Sequence, residues 1–197
     1  MARVALTGGT GFLGSNVAEV LTDAGHDVLV LTRSTPSMEV PWSYAVVDTS
    51  DRAALEQVLA GCDAVIHAAI ANAFHLLDSQ AAYSAYPGLT QAVTHAALTV
   101  GAQPIYISSD WVMDGATPKA PETHYGRPIN TYGFLKALGE QVIRDLAPEN
   151  GVIVRIGGVM GSHRLLEDLP RNQDVGFGYF VSALVKTLRA GQEFMVF

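Results

Sequence analysis

The stretch that decides the fold is Thr7-Gly8-Gly9-Thr10-Gly11-Phe12-Leu13-Gly14, close to the start of this 197-residue chain. The apolar run at residues 3–7 predicts a short buried strand before it, and the spacing of residues 12–24 predicts a helix after it. Gly8 permits a tight turn, Gly11 lets a ligand approach the backbone, and Gly14 lets the helix pack close to the strand. The stretch therefore predicts a strand–turn–helix unit at the entry to a parallel sheet.

Strands and helices are predicted to alternate along the rest of the chain. Strands are expected at residues 26–32, 46–47, 63–67, 104–108 and 152–156, and helices at 51–60, 78–100, 131–146 and 179–189. Pro87 predicts a kink or a break within the second of these helices, and the prolines and glycines of residues 110–128 predict a loop. The alternation predicts an α/β fold, a Rossmann-type doubly wound parallel sheet with ligands at the carboxyl ends of its strands.

The glycine turn is predicted to hold a pyrophosphate. A helix N-terminus offers backbone N–H groups and a partial positive charge to an anion. The alternative is a turn that only connects the strand to the helix, but its context of strand, turn and helix favours nucleotide binding. The expected contacts within the turn are Gly8, Gly11, Phe12, Leu13 and Gly14.

The residues after the second strand predict which nucleotide is preferred. A ribose 2′-hydroxyl is usually held by an acid at that position, whereas this chain carries Arg33 and Ser34. Both suit a 2′-phosphate, so NADP(H) is predicted to be the preferred cofactor and NAD(H) is the alternative. It also stays open that Arg33 is an ordinary surface residue. Asp48, with Thr49 beside it, ends the third strand and either accepts a hydrogen bond from an adenine amino group or serves as a turn residue or helix cap.

A candidate proton-transfer site lies later in the chain. Tyr132 and Lys136 are four residues apart on a predicted helix and share one face. A lysine cation beside a phenol is expected to lower the pKa of the phenol and make it a usable acid or base. Ser109 follows a strand, where its hydroxyl can polarise a substrate carbonyl.

Residues 105–115 (IYISSDWVMDG) and 130–140 (NTYGFLKALGE), taken with the glycine turn, resemble the extended short-chain dehydrogenase/reductases. The resemblance is closest to the dTDP-4-dehydrorhamnose reductase group and covers about residues 1–165. It implies reduction of a keto group on a sugar nucleotide or similar carbonyl compound, with hydride from the cofactor. An epimerase or dehydratase that keeps its cofactor, and a cofactor-binding regulatory subunit without turnover, are the alternatives.

The resemblance also implies roles for individual residues. Ser109 would orient the carbonyl, Tyr132 would deliver the proton, and Lys136 would also bind the nicotinamide ribose. The small residues after the fourth strand would lie against the cofactor; they are Ala68 and Ala69. Three residues are further candidates for substrate contact, each with a structural alternative: Asp110 as a loop cap, Trp111 as core and Arg155 as half of an ion pair.

The resemblance implies that the chain has two units, and the chain departs from the family pattern at one position. Residues 1–165 are expected to form an NADP-binding Rossmann domain with the catalytic side chains, and residues 166–197 to begin a substrate-binding region that is incomplete. Many relatives carry an asparagine in the long helix for proton relay, whereas residues 84–88 read SAYPG and Asn72 lies too early.

Composition excludes several classes of function. With 12 basic and 19 acidic residues, the net charge of −7 argues against nucleic-acid binding. No apolar run reaches the ~20 residues of a membrane span. The single cysteine, Cys62, is interpreted as a small apolar residue, and the lack of a second cysteine fits a reducing, cytoplasmic setting. The histidines are too widely spaced to predict a metal site; those considered are His67, His75, His95, His124 and His163. The predicted helices at 88–100 and 131–146 each carry an apolar stripe. These stripes either pair the helices of two copies in a homodimer or pack on the sheet of the same chain.

Overall fold

The computed structural model describes residues 1–36, 39–49, 51–70, 78–165 and 180–193. The strands are β1 (Arg3–Thr7), β2 (Asp27–Thr32), β3 (Ser43–Val46), β4 (Ala64–His67), β5 (Gln103–Ser109) and β6 (Val152–Ile156). The helices are α1 (Phe12–Asp23), α2 (Arg52–Leu59), α3 (Ser79–Tyr83), α4 (Leu89–Thr99), α5 (Thr131–Leu146) and α6 (Phe180–Arg189). A π-helical turn (Ser84–Gly88) joins α3 to α4, and a 3₁₀ turn (Asp110–Val112) follows β5.

The strands form one parallel sheet in the order β3-β2-β1-β4-β5-β6. The chain runs outward from β1 in one direction, then returns to β4 and continues in the other direction, so strand order reverses between β1 and β4. Ligands of open α/β sheets bind beside such a reversal, at the carboxyl ends of the strands. The predicted doubly wound parallel sheet is therefore confirmed.

Two local predictions differ from the structure. The third strand occupies Ser43–Val46 and not residues 46–47, since this edge strand pairs on one side only and most of its residues are exposed, so it carries little apolar signal. The expected kink at Pro87 takes the form of the π turn, which carries the helical path through the proline, whose ring lies buried. A π turn shifts the hydrogen-bond ladder by one residue and accommodates a proline that an α-helix would not.

The core lies on both faces of the sheet. One cluster lies between the sheet and helices α2 and α4 and includes Leu55, Val93 and Cys62. The prediction that Cys62 is a small apolar residue is therefore confirmed. The other cluster packs α1 on β1 and β2 around Leu6, with the ring of Trp42 against it. The buried stripe of α4 belongs to the first cluster, and α5 packs on α4 and β5. Pairing of these helices between two copies of the chain stays a prediction.

Several sequence predictions fall outside the described residues: Asn72, His75, the apolar segment 194–197, the first residue of the helix expected at 179–189, and most of the region 166–197.

Within the part of the chain that is described, none of the helices has both the length and the apolar character needed to cross a bilayer.

Candidate active site

The candidate site lies at the carboxyl edge of the sheet, where β1, β4 and β5 end side by side. Thr7 pairs with His67, and His67 pairs with Tyr106 in the next strand. The glycine turn follows β1, Ala68 and Ala69 follow β4, and Ser109 ends β5. The strand order therefore brings the glycine turn and the Ser109 region, about a hundred residues apart in sequence, to the same edge.

The glycine turn leaves no space for added side-chain atoms. Gly8 has a φ of +74°, and a β-carbon there would lie 2.8 Å from the backbone nitrogen of Ala69. A β-carbon on Gly14 would collide with the carbonyl oxygen of Gly8, so the start of α1 packs directly on the turn. A β-carbon on Gly9 would lie 2.6 Å from the side chain of Val30 in β2. The turn thus brings bare backbone close to the strand ends.

The N-terminus of α1 differs from those of three other helices. Side-chain oxygens of Asp51, Asp78 and Asn130 accept backbone N–H groups at the starts of α2, α3 and α5. Gly11 precedes α1 and offers no side-chain cap, and the first turn of α1 carries no acid. Because the first N–H groups of a helix have no acceptor within the helix, this end fits an anionic ligand such as a pyrophosphate.

A buried hydrogen-bonded pair supports the turn from below. The Thr7 hydroxyl lies 2.7 Å from Nδ1 of His67, and the Ala69 backbone N–H donates to the same hydroxyl over 3.2 Å. Burial, with a smaller effect of the Lys136 cation, lowers the pKa of His67 to about 3, so this imidazole is neutral at pH 7. From its sequence context His67 is considered above only as a metal ligand. Its place at the end of an apolar strand is the signal that points to this structural role.

The predicted catalytic side chains meet where β5 ends and α5 begins. The Ser109 hydroxyl donates to Oδ1 of Asp110 at 3.1 Å and accepts the backbone N–H of Trp111 at 3.3 Å, and it lies close enough to Tyr132 to affect the pKa of the phenol. The indole of Trp111 lies edge-on to the Tyr132 ring, with centroids 5.7 Å apart. A β-carbon on Gly133 would collide with the Trp111 carbonyl oxygen, so this glycine allows α5 to approach the turn after Ser109.

Lys136 lies beneath Tyr132 and is almost fully buried. Its Nζ donates to the carbonyl oxygen of Ile107 at 2.8 Å and lies 4.9 Å from the ring centroid of Tyr106 and 5.9 Å from that of Tyr132. Burial lowers the pKa of Lys136 to about 8. The ammonium group is therefore held by a backbone carbonyl and by aromatic ring faces, which attract a cation.

The pKa of Tyr132 differs in direction from the sequence expectation. Burial and the Asp110 carboxylate raise it above its ordinary value, and the neighbouring Ser109 hydroxyl opposes them. The expected lowering by Lys136 was wrong for this structure, because Lys136 lies under the ring and directs its ammonium group at Ile107. The phenol is protonated at neutral pH and can serve as an acid.

Arg155 forms the ion pair that the sequence analysis left open. Its Nε and Nη2 each donate over 2.7 Å to the carboxylate of Glu140, and its Nη1 donates to the His124 carbonyl oxygen over 3.0 Å. A substrate contact of Arg155 stays a prediction. Glu140 is not among the residues predicted from the sequence, although an acid four residues after Lys136 and eight after Tyr132 continues the same helix face.

The remaining candidates surround the glycine turn. Arg33 and Ser34 are exposed directly after β2, the strand beside β1. Asp48 and Thr49 follow β3 at the same edge of the sheet, and Asp51 rather than Asp48 caps α2. In the described residues no three or more His, Cys, Asp or Glu side chains form a group that could hold a metal ion.

Comparisons with known proteins match most of the chain. The model of a family described as "NAD dependent epimerase/dehydratase family" matches residues 4–197. The dTDP-4-dehydrorhamnose reductase of Mycobacterium tuberculosis is 32% identical over 158 residues, which are 77% of this chain and 48% of that protein. The dTDP-6-deoxy-L-talose 4-dehydrogenase (NAD(P)(+)) of Kitasatospora kifunensis is 31% identical over 172 residues, 82% of this chain and 54% of that one.

A solved structure extends the likeness of the fold. The UDP-glucose-4-epimerase of Stenotrophomonas maltophila, with bound NAD and formylated UDP-arabinopyranose, superposes with a TM-score of 0.77 at 20% identity, covering 97% of this chain and 62% of that one. This likeness concerns the fold alone. The chain spans about half the length of the curated relatives it matches.

Proposed function

The chain belongs to the NAD dependent epimerase/dehydratase family, within the extended short-chain dehydrogenase/reductases, and we propose that it uses NADP(H) to reduce a keto group on a sugar nucleotide or similar carbonyl compound. The observation that carries the proposal is that Ser109, Tyr132 and Lys136 meet where β5 ends and α5 begins, with the Lys136 Nζ 5.9 Å from the centroid of the phenol ring. These side chains meet at the sheet edge that also carries the glycine turn, so hydride and proton donors would act on one carbonyl group.

The proposed cofactor contacts follow the sheet edge. The pyrophosphate would lie on the glycine turn and the N-terminus of α1, through Gly8, Gly11, Phe12, Leu13 and Gly14, with Ala68 and Ala69 beside it. Arg33 and Ser34 would contact a 2′-phosphate, and Asp48 and Thr49 the adenosine end. When bound, the cofactor supplies the hydride.

The proposed chemistry assigns one task to each side chain. Ser109 donates a hydrogen bond to the carbonyl oxygen and orients it, and Tyr132 transfers its phenolic proton to that oxygen as hydride reaches the carbon, which yields an alcohol. The Lys136 ammonium group would contact the nicotinamide ribose and so position the cofactor beside the phenol. Asp110 and Trp111 lie beside Ser109 and would contact the substrate.

The curated relatives support the substrate class. Both are named for dTDP sugars or their 4-keto forms. A sugar nucleotide with a keto group on its hexose is therefore the first substrate class to test, with dTDP-4-dehydrorhamnose as the first probe.

The test of the cofactor proposal is a fluorescence titration with NADPH and NADH, repeated with Arg33→Ala. We expect tighter binding of NADPH, and a loss of NADPH affinity on the order of 10- to 100-fold in Arg33→Ala with little change for NADH, since an arginine–phosphate hydrogen bond is worth about 1.5–3 kcal/mol. Arg52→Ala, which removes an exposed arginine on α2, is the matched control and should bind like the unchanged protein. Equal affinity for both nucleotides would contradict the role of Arg33.

An epimerase or dehydratase is a second candidate, because the matching family carries that description. Incubation with a stoichiometric amount of NADPH and the keto-sugar probe separates the two. A reductase oxidises one NADPH per alcohol formed, whereas an epimerase or dehydratase leaves no net change in the nucleotide. Nucleotide binding without conversion of any sugar nucleotide would contradict both and favour a regulatory subunit.

A further inference from the structure

Glu140 is a carboxylate with no accessible surface, placed one helical turn beyond Lys136 on α5. The Ser108 hydroxyl donates to its Oε1 over 2.7 Å, and Arg144 donates to its Oε2 over 2.8 Å. Arg155 adds two further bonds, one to each oxygen, both over 2.7 Å. Burial opposes ionisation, but the hydrogen bonds from Arg155, Ser108 and Arg144 outweigh it and hold the pKa of Glu140 below its usual value.

The partners of Glu140 come from different parts of the fold. Ser108 is in β5 and Arg155 in β6, where they are paired across the sheet, and Arg144 is in α5 itself. Arg155 also donates to the His124 carbonyl oxygen and contacts the Met113 sulfur over 3.8 Å, so the same cation holds the loop between β5 and α5. One carboxylate therefore ties the helix, two strands and this loop together.

The same elements carry the proposed catalytic groups. Ser109 follows Ser108 directly in β5, and Tyr132 and Lys136 precede Glu140 on the same face of α5. A slide of α5 along β5 would move Tyr132 relative to Ser109, and the Glu140–Ser108 bond spans that junction. Because the carboxylate accepts from both strands and its own helix, a slide would break several charge-assisted hydrogen bonds at once.

We propose that Glu140 is a positioning residue, which fixes α5 along β5 and thereby sets the distance between Ser109 and the Tyr132–Lys136 pair. The inference rests on the proposed function for its effect on turnover, but its geometric content concerns Lys136 and stands independently. A merely structural ion pair would stabilise the fold without affecting the environment of Lys136. Buried ion pairs are often no more stabilising than apolar packing, and fixing one arrangement is their best-attested role.

The first test is an NMR titration of protein labelled with [¹³C]lysine. The chain has three lysines, Lys119, Lys136 and Lys186, so the ε-methylene signals are few enough to assign by substitution. Burial places the pKa of Lys136 at about 8. In Glu140→Gln we expect it to rise toward the ordinary lysine value by about one unit, because a displaced helix exposes the ammonium group. Loss of a nearby negative charge by itself would move this pKa downward, so the direction separates displacement from electrostatics.

Two further variants keep the test decisive. Ser108→Ala removes a single hydroxyl and no charge, and should raise the pKa of Lys136 in the same direction by a smaller amount; it gives the same test where Glu140→Gln does not fold. Glu56→Gln makes the same chemical change in the exposed Arg52–Glu56 pair on α2 and should leave Lys136 unchanged. An unchanged Lys136 titration in folded Glu140→Gln and Ser108→Ala would overturn the proposal.

Kinetics with NADPH and the keto-sugar probe complete the test. We expect kcat to fall on the order of 10- to 100-fold in Glu140→Gln, since small misplacements of reacting groups cost about that much, while NADPH affinity at the glycine turn is kept. An unchanged kcat would also overturn the proposal. If the unchanged protein does not turn over, the proposed function fails by itself, and the Lys136 titration still decides the role of Glu140.

Discussion

The glycine turn and the Ser109–Tyr132–Lys136 site lie at the same sheet edge but are built in opposite ways. The turn depends on atoms that are absent, because a β-carbon on Gly8, Gly9 or Gly14 would overlap a neighbour. The other site depends on side chains that are present, buried and hydrogen-bonded, such as Lys136. We therefore expect the turn to be sensitive to added atoms, and the Ser109–Tyr132–Lys136 site to removed ones.

The two regions also treat charge differently. Beneath the turn, His67 is kept neutral by burial, whereas beneath Tyr132 the Lys136 ammonium group is held by a carbonyl oxygen and ring faces. The proposed nucleotide site thus offers backbone N–H groups, and the proposed proton-transfer site offers a buried cation and a protonated phenol. The difference gives each region its own expected response to substitution and pH.

The largest expected effect is on stability in acid, at the turn. The folded pKa of His67 is about 3, below its ordinary 6.5, so between these values the unfolded chain binds a proton that the folded chain does not. The free energy of unfolding should fall as pH drops through this window, by about 5 kcal/mol in full. In His67→Asn, which keeps a polar group near Thr7, the slope of this fall should be smaller by about one proton. Urea unfolding between pH 6.5 and 4 measures it, and identical slopes would contradict the neutral buried state of His67.

Removal of one oxygen from Tyr132 should have the next largest effect. Tyr132→Phe keeps the ring against Trp111 but removes the proposed proton donor, and kcat should fall on the order of 10²- to 10⁴-fold. NADPH binding should change little. Burial places the pKa of Lys136 at about 8, so reduction by the unchanged protein should decline above about pH 8, where its ammonium group loses the proton. The raised pKa of Tyr132 adds no loss of its own at that pH. The control Tyr125→Phe alters an exposed phenol and should keep full activity; equal activity of both variants would refute the assignment of the proton donor.

Addition of one carbon to the turn should have a smaller effect on folding but a large one on binding. In Gly14→Ala the new methyl group overlaps the Gly8 carbonyl oxygen, so the free energy of unfolding should fall by about 3 kcal/mol and nucleotide binding should be lost. Gly158→Ala adds the same carbon where no atom lies within 4 Å, and should leave both unchanged. Urea unfolding and NADPH titration measure the pair, and retention of full affinity in Gly14→Ala would contradict the close packing of the turn.

The smallest expected effect is the loss of a helix cap at α5, which we compare with a substitution at the uncapped N-terminus of α1. Asn130→Ala removes the side chain that accepts the Gly133 N–H at 2.8 Å, so the free energy of unfolding should fall by about 1 kcal/mol. Gly11→Ala, at the start of α1, removes no cap and should instead weaken NADPH binding. Unfolding with and without saturating NADPH tests both. If saturating NADPH restored the free energy of unfolding that Asn130→Ala loses, the cap of α5 and the nucleotide site at α1 would be coupled. That result would contradict the prediction that the two helix ends act independently.

The sequence predicted the parts of the fold that follow from local patterns. Apolar runs located β1, β2, β4 and β5, because interior strands of a parallel sheet are apolar along their length. The run at Val152–Ile156 also located β6, although this strand lies at an edge and is only partly buried. It misplaced β3, which lies at an edge and whose Tyr44 and Val46 are exposed. It expected the break at Pro87 but not the π turn, since the geometry around a proline depends on packing that only the tertiary structure supplies.

The candidate site was predicted residue by residue, but its internal contacts were not. Spacing along α5 placed Tyr132 and Lys136 on one face, and the structure places Ser109 beside Tyr132. Spacing could not show that Lys136 would direct its Nζ at the Ile107 carbonyl oxygen, so the pKa of Tyr132 was expected to move the wrong way. Glu140 and His67 were missed as site residues because their roles depend on partners more than thirty positions away, Ser108 for Glu140 and Thr7 for His67.

The strand order also constrains how the chain acquires its structure during synthesis. The first strand pairs with β2, about twenty residues later, and with β4, about sixty residues later. A nascent chain that has emerged from the ribosome only as far as α2 can form the β3-β2-β1 half, with the β1 edge open to the solvent. Emergence of residues 64–67 closes that edge, and β5 and β6 then each add to an existing edge in the order in which they are translated. Pauses in translation between α2 and β4 would therefore prolong the exposure of an apolar strand edge, whereas later pauses would not reopen it.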